Sequence, residues 1–322
     1  MAEASACCHL SETEIESRQE RLRWALARLP LASDFESVHD LRVSLRQLRA
    51  ASSAFAGCLS RPTQWGSRLR RAEKALGTLR DAEVRLRLLD QVLGPVAVAV
   101  DRGDDPRLLS HPTEPLALDP GRIRPGLRGR EMEARRALAE ETAAEIERLR
   151  TQALKGSSRA RLQRLGTAPR LRRGHLSCDA HELARNQLPR LFRRAARRSH
   201  GQAGLHRRRG EIRRLRYRLE LFGAVLDPET PTVLKELRHL QALLGRLHDL
   251  AVLRGWIEGS ARQLRHELRP ALRRLALRVE LEQQAAREAA EVELARLDSA
   301  AWWEAAMAAA LTEGPSASAA GA

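Results

Sequence analysis

The sequence predicts an all-α protein in which one group of four helices is used twice, and three observations predict it. Ala, Leu, Arg and Glu, all strong helix formers, dominate a chain whose aromatics make up 3% of residues and whose β-branched runs are scarce. Between proline-bearing breaks, apolar residues recur at spacings of three and four. Finally, the stretch from Val38 to Leu59, VHDLRVSLRQLRAASSAFAGCL, returns from Leu205 to Leu226 as LHRRRGEIRRLRYRLELFGAVL. At an offset of 167 residues His39 falls on His206, Arg42 on Arg209, Arg46 on Arg213, Leu48 on Leu215, Arg49 on Arg216 and Phe55 on Phe222.

Taken in order, residues 1 to 10 read as a loose leader, and Ser11 with Glu14 has the spacing of a capping box. Ile15, Leu22, Leu26 and Leu29 supply the apolar stripe of the first helix, which Pro30 ends. Ser33 or Asp34 is placed to cap the first repeat helix, and Pro62 separates it from a third helix over about 63 to 92. That third helix is repeated as well: LGTLRD, with Leu76, Gly77, Leu79 and Asp81, matches LGRLHD, with Leu244, Gly245, Leu247 and Asp249, at an offset of 168. Mid-helix glycine costs about 1 kcal/mol against alanine, so Gly77 and Gly245 are expected where helices pack closely. Asp81 and Asp249 are expected to hold arginines of the preceding repeat helix.

From Gly94 to Gly129, six prolines mark a long insertion. A Glu- and Arg-rich helix resumes near Arg130, followed by a basic stretch through Arg161, Arg164, Arg170, Arg172 and Arg173. The second half repeats the plan: a helix near 179 to 200, the second repeat helix, a break at Pro228 and Pro231, and the LGRLHD helix. A last long helix, or a pair kinked near Pro270, runs to about Trp303, before a tail over 306–322 that reads as disordered. The expected organisation is one domain over 10–305, its halves at about 10–156 and 157–305.

With 322 residues, a net charge of +16 and a pI near 11.2, the chain is expected to attract polyanions. Cys7, Cys8, Cys58 and Cys178 form no CxxC pair or disulfide framework, as expected of a reducing cytoplasm. No apolar run reaches the roughly 18 residues of a membrane span, and the N-terminus lacks the pattern of an export signal.

The charge has a shape. On a helix at about 100° per residue, His39, Arg42, Arg46 and Arg49 fall within an arc of roughly 80° along about 15 Å of axis. Leu41, Leu45, Leu48 and Phe55 take a mostly opposite stripe. In the second copy Ile212, Leu215, Leu219 and Phe222 are apolar, and His206, Arg209, Arg213, Arg216 and Tyr217 take the basic face. Like charges one turn apart repel, so a cationic stripe edged by apolar residues points to a groove for an anion. Arginine bias can have other origins, since only three lysines stand among the 57 basic residues, but a basic pattern repeated in register asks for a shared reason.

HDLRVSLRQLR, LGTLRD, HRRRGEIRRLRY and LGRLHD, in that order, resemble the CHAD family, the conserved-histidine α-helical domain. The resemblance implies two pseudo-symmetric four-helix bundles around a basic central cavity that binds inorganic polyphosphate, often at polyphosphate granules. It implies His39, Arg42, Arg46, Arg49, His206, Arg209, Arg213, Arg214, Arg216 and Tyr217 as ligand-facing residues, with Asp81 and Asp249 supporting them. Arg213 stands where the family often has lysine, Gly210 replaces a normally apolar position, and the insertion is unusually long.

Guanidinium groups make bidentate bonds to phosphate oxygens and keep their charge, so two facing stripes suit a linear phosphate chain. A GxxxxGK[ST] loop is absent, and few aromatics are present for stacking single-stranded bases. Nonspecific binding of duplex nucleic acid through its backbone remains the alternative reading, with an acidic protein partner a weaker third. The pairs His39-Asp40 and His248-Asp249 are not reproduced between the repeats, and His175, Cys178 and His181 are weakly spaced for zinc. EMEAR at 131–135 only approximates the ExExK signature of CYTH triphosphatases and reads as surface charge. No catalytic residues, metal or cofactor are therefore expected; oligomeric state is not legible.

Overall fold

A computed structural model describes residues 4–28, 35–94, 125–167, 180–198, 201–227 and 230–311. Among these residues there are ten α-helices and no β-strand. The first five are α1 (Ala4–Arg28), α2 (Phe35–Ala54), α3 (Pro62–Leu93), α4 (Pro125–Leu154) and α5 (Gly156–Leu165). The second five are α6 (Ala180–Ala196), α7 (Gly201–Phe222), α8 (Thr230–Ser260), α9 (Arg269–Leu297) and α10 (Ala300–Leu311). Both repeat helices close in a 3₁₀ turn, Ala56–Cys58 after α2 and Gly223–Val225 after α7, so the duplication extends through the helix ends.

The packing follows the duplication. Each main helix lies against its neighbour in sequence, and each also touches its counterpart: α1 meets α6, α2 meets α7, α3 meets α8 and α4 meets α9. The expected groups of four each gain a fifth helix. α5 packs on α1, α3 and α4, and α10 packs on α6 and α8, which are the counterparts of α1 and α3.

Hydrophobic clusters hold this arrangement together, and they cross the repeat. One joins Leu22 of α1, Leu41 and Leu45 of α2, Phe192 of α6, Leu215 of α7 and Trp303 of α10. The other joins Leu89 of α3, Leu138 of α4, Leu253 of α8 and Leu272 of α9. At the centre the equivalent residues Phe55 and Phe222 meet edge to face, with ring centroids 5.9 Å apart and planes at 77°. Burying one such side chain contributes about 1.5–3 kcal/mol, and an aromatic pair adds roughly 0.5–1.5.

Several boundaries differ from the sequence reading. α1 begins at Ala4, so Ser11 lies inside the helix, fully buried, and Glu14 pairs with Arg18 one turn on rather than closing a capping box. α4 begins at Pro125, inside the expected insertion, where proline's fixed φ suits a first turn; residues 95–124 lie outside the described set. The break near Pro270 is a full interruption, with Pro270 in the first turn of α9. Residues 306–311, expected in a disordered tail, are helical because Ala306 and Ala310 are buried against the first cluster. The caps at Ser33 or Asp34, the pair His175 and Cys178, and the tail from 312 fall outside the described residues.

EMEAR is corrected as well. Glu131 and Arg135 are 8% and 7% exposed, not surface charge. Glu131 accepts a 2.8 Å bond from Arg278 of α9, and Arg135 donates to the carbonyl of Gly94. The motif therefore ties α4 to α9 and to the end of α3.

Candidate functional site

α2 and α7 divide their faces as the spacing predicts. Leu41, Leu45, Leu48 and Phe55 are fully buried on one side of α2, and Ile212, Leu215, Leu219 and Phe222 on the matching side of α7. That fixes the opposite faces, which carry His39, Arg42, Arg46 and Arg49 and their equivalents. Because α2 touches α7 and α3 touches α8, the two stripes converge on one cleft. Arg46 repels both Arg209 and Arg213, and Asp249 feels Arg209, Asp81, Arg80 and Arg42 together.

The contacts repeat as the helices do. Glu73 of α3 accepts Arg46 Nε at 2.8 Å and is 2.9 Å from Arg49 Nε. Its equivalent at the 168-residue offset is Gln241, which accepts Arg216 Nε at 3.0 Å. Arg216 also pairs with Glu220 at 2.8 Å and stacks over the Tyr217 ring at 4.5 Å. Arg42 lies 3.8 Å from Asp81, a loose ion pair. A Cβ at Gly77 would meet Arg42 Nη2 at 4.0 Å, and one at Gly245 would meet Arg209 Nε and Nη2 at 4.0 Å. The glycines expected to let helices pack closely thus lie beside guanidinium groups, at a distance that an alanine would also allow.

Histidine positions are paired too. His206 and His248 approach with Nδ1 atoms 3.3 Å apart and rings 4.8 Å apart. In the first copy the residue equivalent to His248 is Arg80, which acts electrostatically on His39. Burial, then repulsion from Arg80, Arg46 and Arg42 against attraction from Glu36, pushes His39 down to about 4. Burial, then Arg209, His206 and Arg213, does the same to His248, also to about 4. Both rings are neutral near pH 7.

The arginines are themselves strained by burial. Desolvation first, then Arg46 and Arg209, lowers Arg213 to about 10. Desolvation also leads the lowering of Arg42 and Arg209. The Nε atoms of these two equivalent arginines are buried, and neither has a hydrogen-bond partner among the described residues. Arg213 forms neither ion pair nor hydrogen bond among the described residues. Asp249, the carboxylate that acts most strongly on Arg209, is shifted up, chiefly by its own burial. The cleft is a set of donors and positive charges that the protein does not itself fully satisfy.

Arg214 is not part of it. It is exposed and bonds Glu211 at 2.6 Å, and Glu211 also accepts Arg194 of α6 at 2.9 Å. The remaining residues expected from sequence, His39, Arg42, Arg46, Arg49, His206, Arg209, Arg213, Arg216 and Tyr217 with Asp81 and Asp249, are brought together. Glu73, Gln241, Arg80 and His248 join them: Glu73 and Gln241 stand eight residues before each Asp, and Arg80 and His248 immediately before it. Among the described residues no group of three or more His, Cys, Asp or Glu is placed to hold a metal ion. Nor is any described helix long and apolar enough to cross a membrane.

The family model described as "CHAD domain" matches residues 17–258. Among solved structures, the crystal structure of the CHAD domain from the plant Ricinus communis superposes with a TM-score of 0.61 at 21% identity, covering 89% of this chain and 91% of that one. PptA from Streptomyces chartreusis superposes with a TM-score of 0.55 at 19% identity, covering 90% of this chain and 98% of that one. No curated protein matches.

Proposed function

The chain belongs to the CHAD domain family, and from that premise we propose that it binds inorganic polyphosphate, without turning it over, in the cleft between α2 and α7. One observation carries the reading. Equivalent arginines from the two repeats, Arg42 and Arg209, present buried Nε donors with no partner among the described residues, beside an Arg213 whose charge burial disfavours. Phosphate oxygens satisfy both the donors and the charge.

The cleft suits a thin chain better than a duplex. Arg42, Arg46 and Arg216 expose 20% of their side chains or less, so a ligand has to enter between the helices to bond them. Polyphosphate is a linear anion with no bases to accommodate. The family's association with polyphosphate, reached above through the motifs, points the same way. Binding of this kind would place the protein at polyphosphate granules in the cytoplasm.

The test is competition at about 150 mM salt, where nonspecific phosphate contacts weaken steeply. Long-chain polyphosphate is challenged with duplex DNA on the wild type and on Arg46→Ala/Arg213→Ala. The wild type should retain polyphosphate against DNA. The double variant should lose at least about 2 kcal/mol, roughly thirtyfold in affinity. Equal displacement by DNA, with little effect of the substitutions, would leave only a basic protein.

A further inference from the structure

On the far side of α3 lies a cavity of about 750 Å³, walled by α3, α4 and α5. Gly77 and Asp81 face the cleft, whereas Ala75 lies about 160° around the helix from Gly77 and lines this cavity. The floor is apolar, with Leu76, Leu162 and Leu165 among the buried residues. The rim is strongly basic: Arg68 and Arg71 from α3 face Arg161 and Arg164 from α5. All four are exposed, and none has an ion pair among the described residues.

The duplication explains why space is left here. α10 stands to α6 and α8 as α5 stands to α1 and α3. α10 brings Trp303, 5% exposed and edge to face with Phe192 at 6.4 Å, together with Trp302 and Met307 against the core. α5 brings no aromatic residue, only Leu162 and Leu165 among its buried side chains, and arginines beside them.

We propose that this cavity is a second binding site, for an organic phosphate with an apolar body. Its volume is that of a small-ligand site, and its apolar floor with a few convergent polar groups is the usual composition of one. A bare phosphate chain would leave that floor in contact with nothing it can pair with, so the ligand differs in class from that of the cleft. A phosphomonoester carries roughly −1.5 to −2 charges near neutral pH, which suits a rim supplying guanidinium forks from two walls. The apolar body covers Leu76, Leu162 and Leu165 while the head group sits between the α3 and α5 arginines.

The experiment is isothermal titration of the full chain with octyl phosphate, with octyl glucoside as a tail without charge. Octyl phosphate should bind saturably at one per chain, and octyl glucoside at least tenfold more weakly. Arg68→Ala/Arg161→Ala should lower octyl phosphate affinity tenfold or more, and Ala75→Trp should abolish binding by filling the cavity. All three positions are exposed, so the variants should melt as the wild type does, and polyphosphate affinity should change less than twofold. Absence of saturable binding, equal binding of octyl glucoside, or undiminished binding in these variants would overturn the proposal. So would loss of octyl phosphate binding in Arg46→Ala/Arg213→Ala, which would place the ligand in the cleft instead. The result stands apart from the polyphosphate reading, because failure of polyphosphate to bind leaves the octyl phosphate titration unaltered.

Discussion

Burial and the arginines around them push the pKa of His39 and of His248 down to about 4, which fixes the sign of two pH effects. A bound polyanion favours the protonated ring, so affinity should rise as pH falls below the bound-state pKa and level off near 4. The sequence alone, reading His39 and His206 as the titrating pair, places this window around the ordinary histidine value, near 6 to 7; the structure extends it downward for His39 and brings in His248. Competition titrations between pH 8 and 4.5 check it, and a His39→Gln/His248→Gln variant that kept the full pH dependence would remove histidine from the mechanism. In the free protein, a histidine whose folded pKa lies below its unfolded one contributes stability above about 6.5 that is lost toward pH 4. Glu83 acts in the opposite direction. Its side chain is fully buried between Arg80 at 3.5 Å and Arg150 at 3.7 Å, and burial, outweighing both arginines, raises it to about 7. Its contribution is therefore present below about 4.5 and lost as pH rises through 7. The melting temperature of Glu83→Gln relative to wild type should be more favourable at pH 8 than at pH 5; a difference independent of pH would show that Glu83 does not titrate in the fold.

At the scale of helices, Gly77 and Gly245 illustrate what the repeat did and did not reveal. Their equivalence was readable, but what lies beside them is a guanidinium. A Cβ at either would meet Arg42 or Arg209 at 4.0 Å, an ordinary contact. Gly77→Ala should therefore raise stability by about 1 kcal/mol through helix propensity, with polyphosphate affinity unchanged. Gly77→Leu should push Arg42 aside and weaken binding several-fold; chemical denaturation and the competition assay separate the two effects. The basic stripes were legible because helical spacing and a second copy in register both mark them. Glu73 and Gln241 were not, since they stand eight residues before Asp81 and Asp249 and differ in type, so comparing the halves did not flag them. Arg214 came in only with the family resemblance, although one residue is about 100° on a helix and turns it toward Glu211. α5 was read as part of a basic stretch because ten residues rich in Arg and Ser show little apolar periodicity, and the end of α10 was hidden in an Ala-rich tail.

The two halves of the molecule are repeats in sequence but not separate packing units. Both hydrophobic clusters draw on helices before and after the insertion, and every main helix touches its counterpart. Further ties cross between the halves: Gln187 donates to the Ala54 carbonyl at 3.0 Å, and Arg218 donates to Ser53 Oγ at 3.0 Å. A cleft lined from both repeats needs this union, because Arg46 and Arg213 can share one ligand only if α2 and α7 keep a fixed separation. Thermal and denaturant unfolding should therefore show one cooperative transition rather than one for each half. Phe55 and Phe222 offer the sharpest test, as equivalent residues meeting across the junction at 5.9 Å. Full truncation of either to alanine would remove about 3–5 kcal/mol from a total of roughly 5–15, so leucine is the better probe. Phe55→Leu and Phe222→Leu should each cost about 1–1.5 kcal/mol, and the pair should deviate from additivity by about 0.5–1.5 kcal/mol. Each single substitution should shift the whole transition. Two transitions, each displaced only by the substitution in its own half, would mean that the repeats fold separately and that the cleft is assembled by docking of two finished halves.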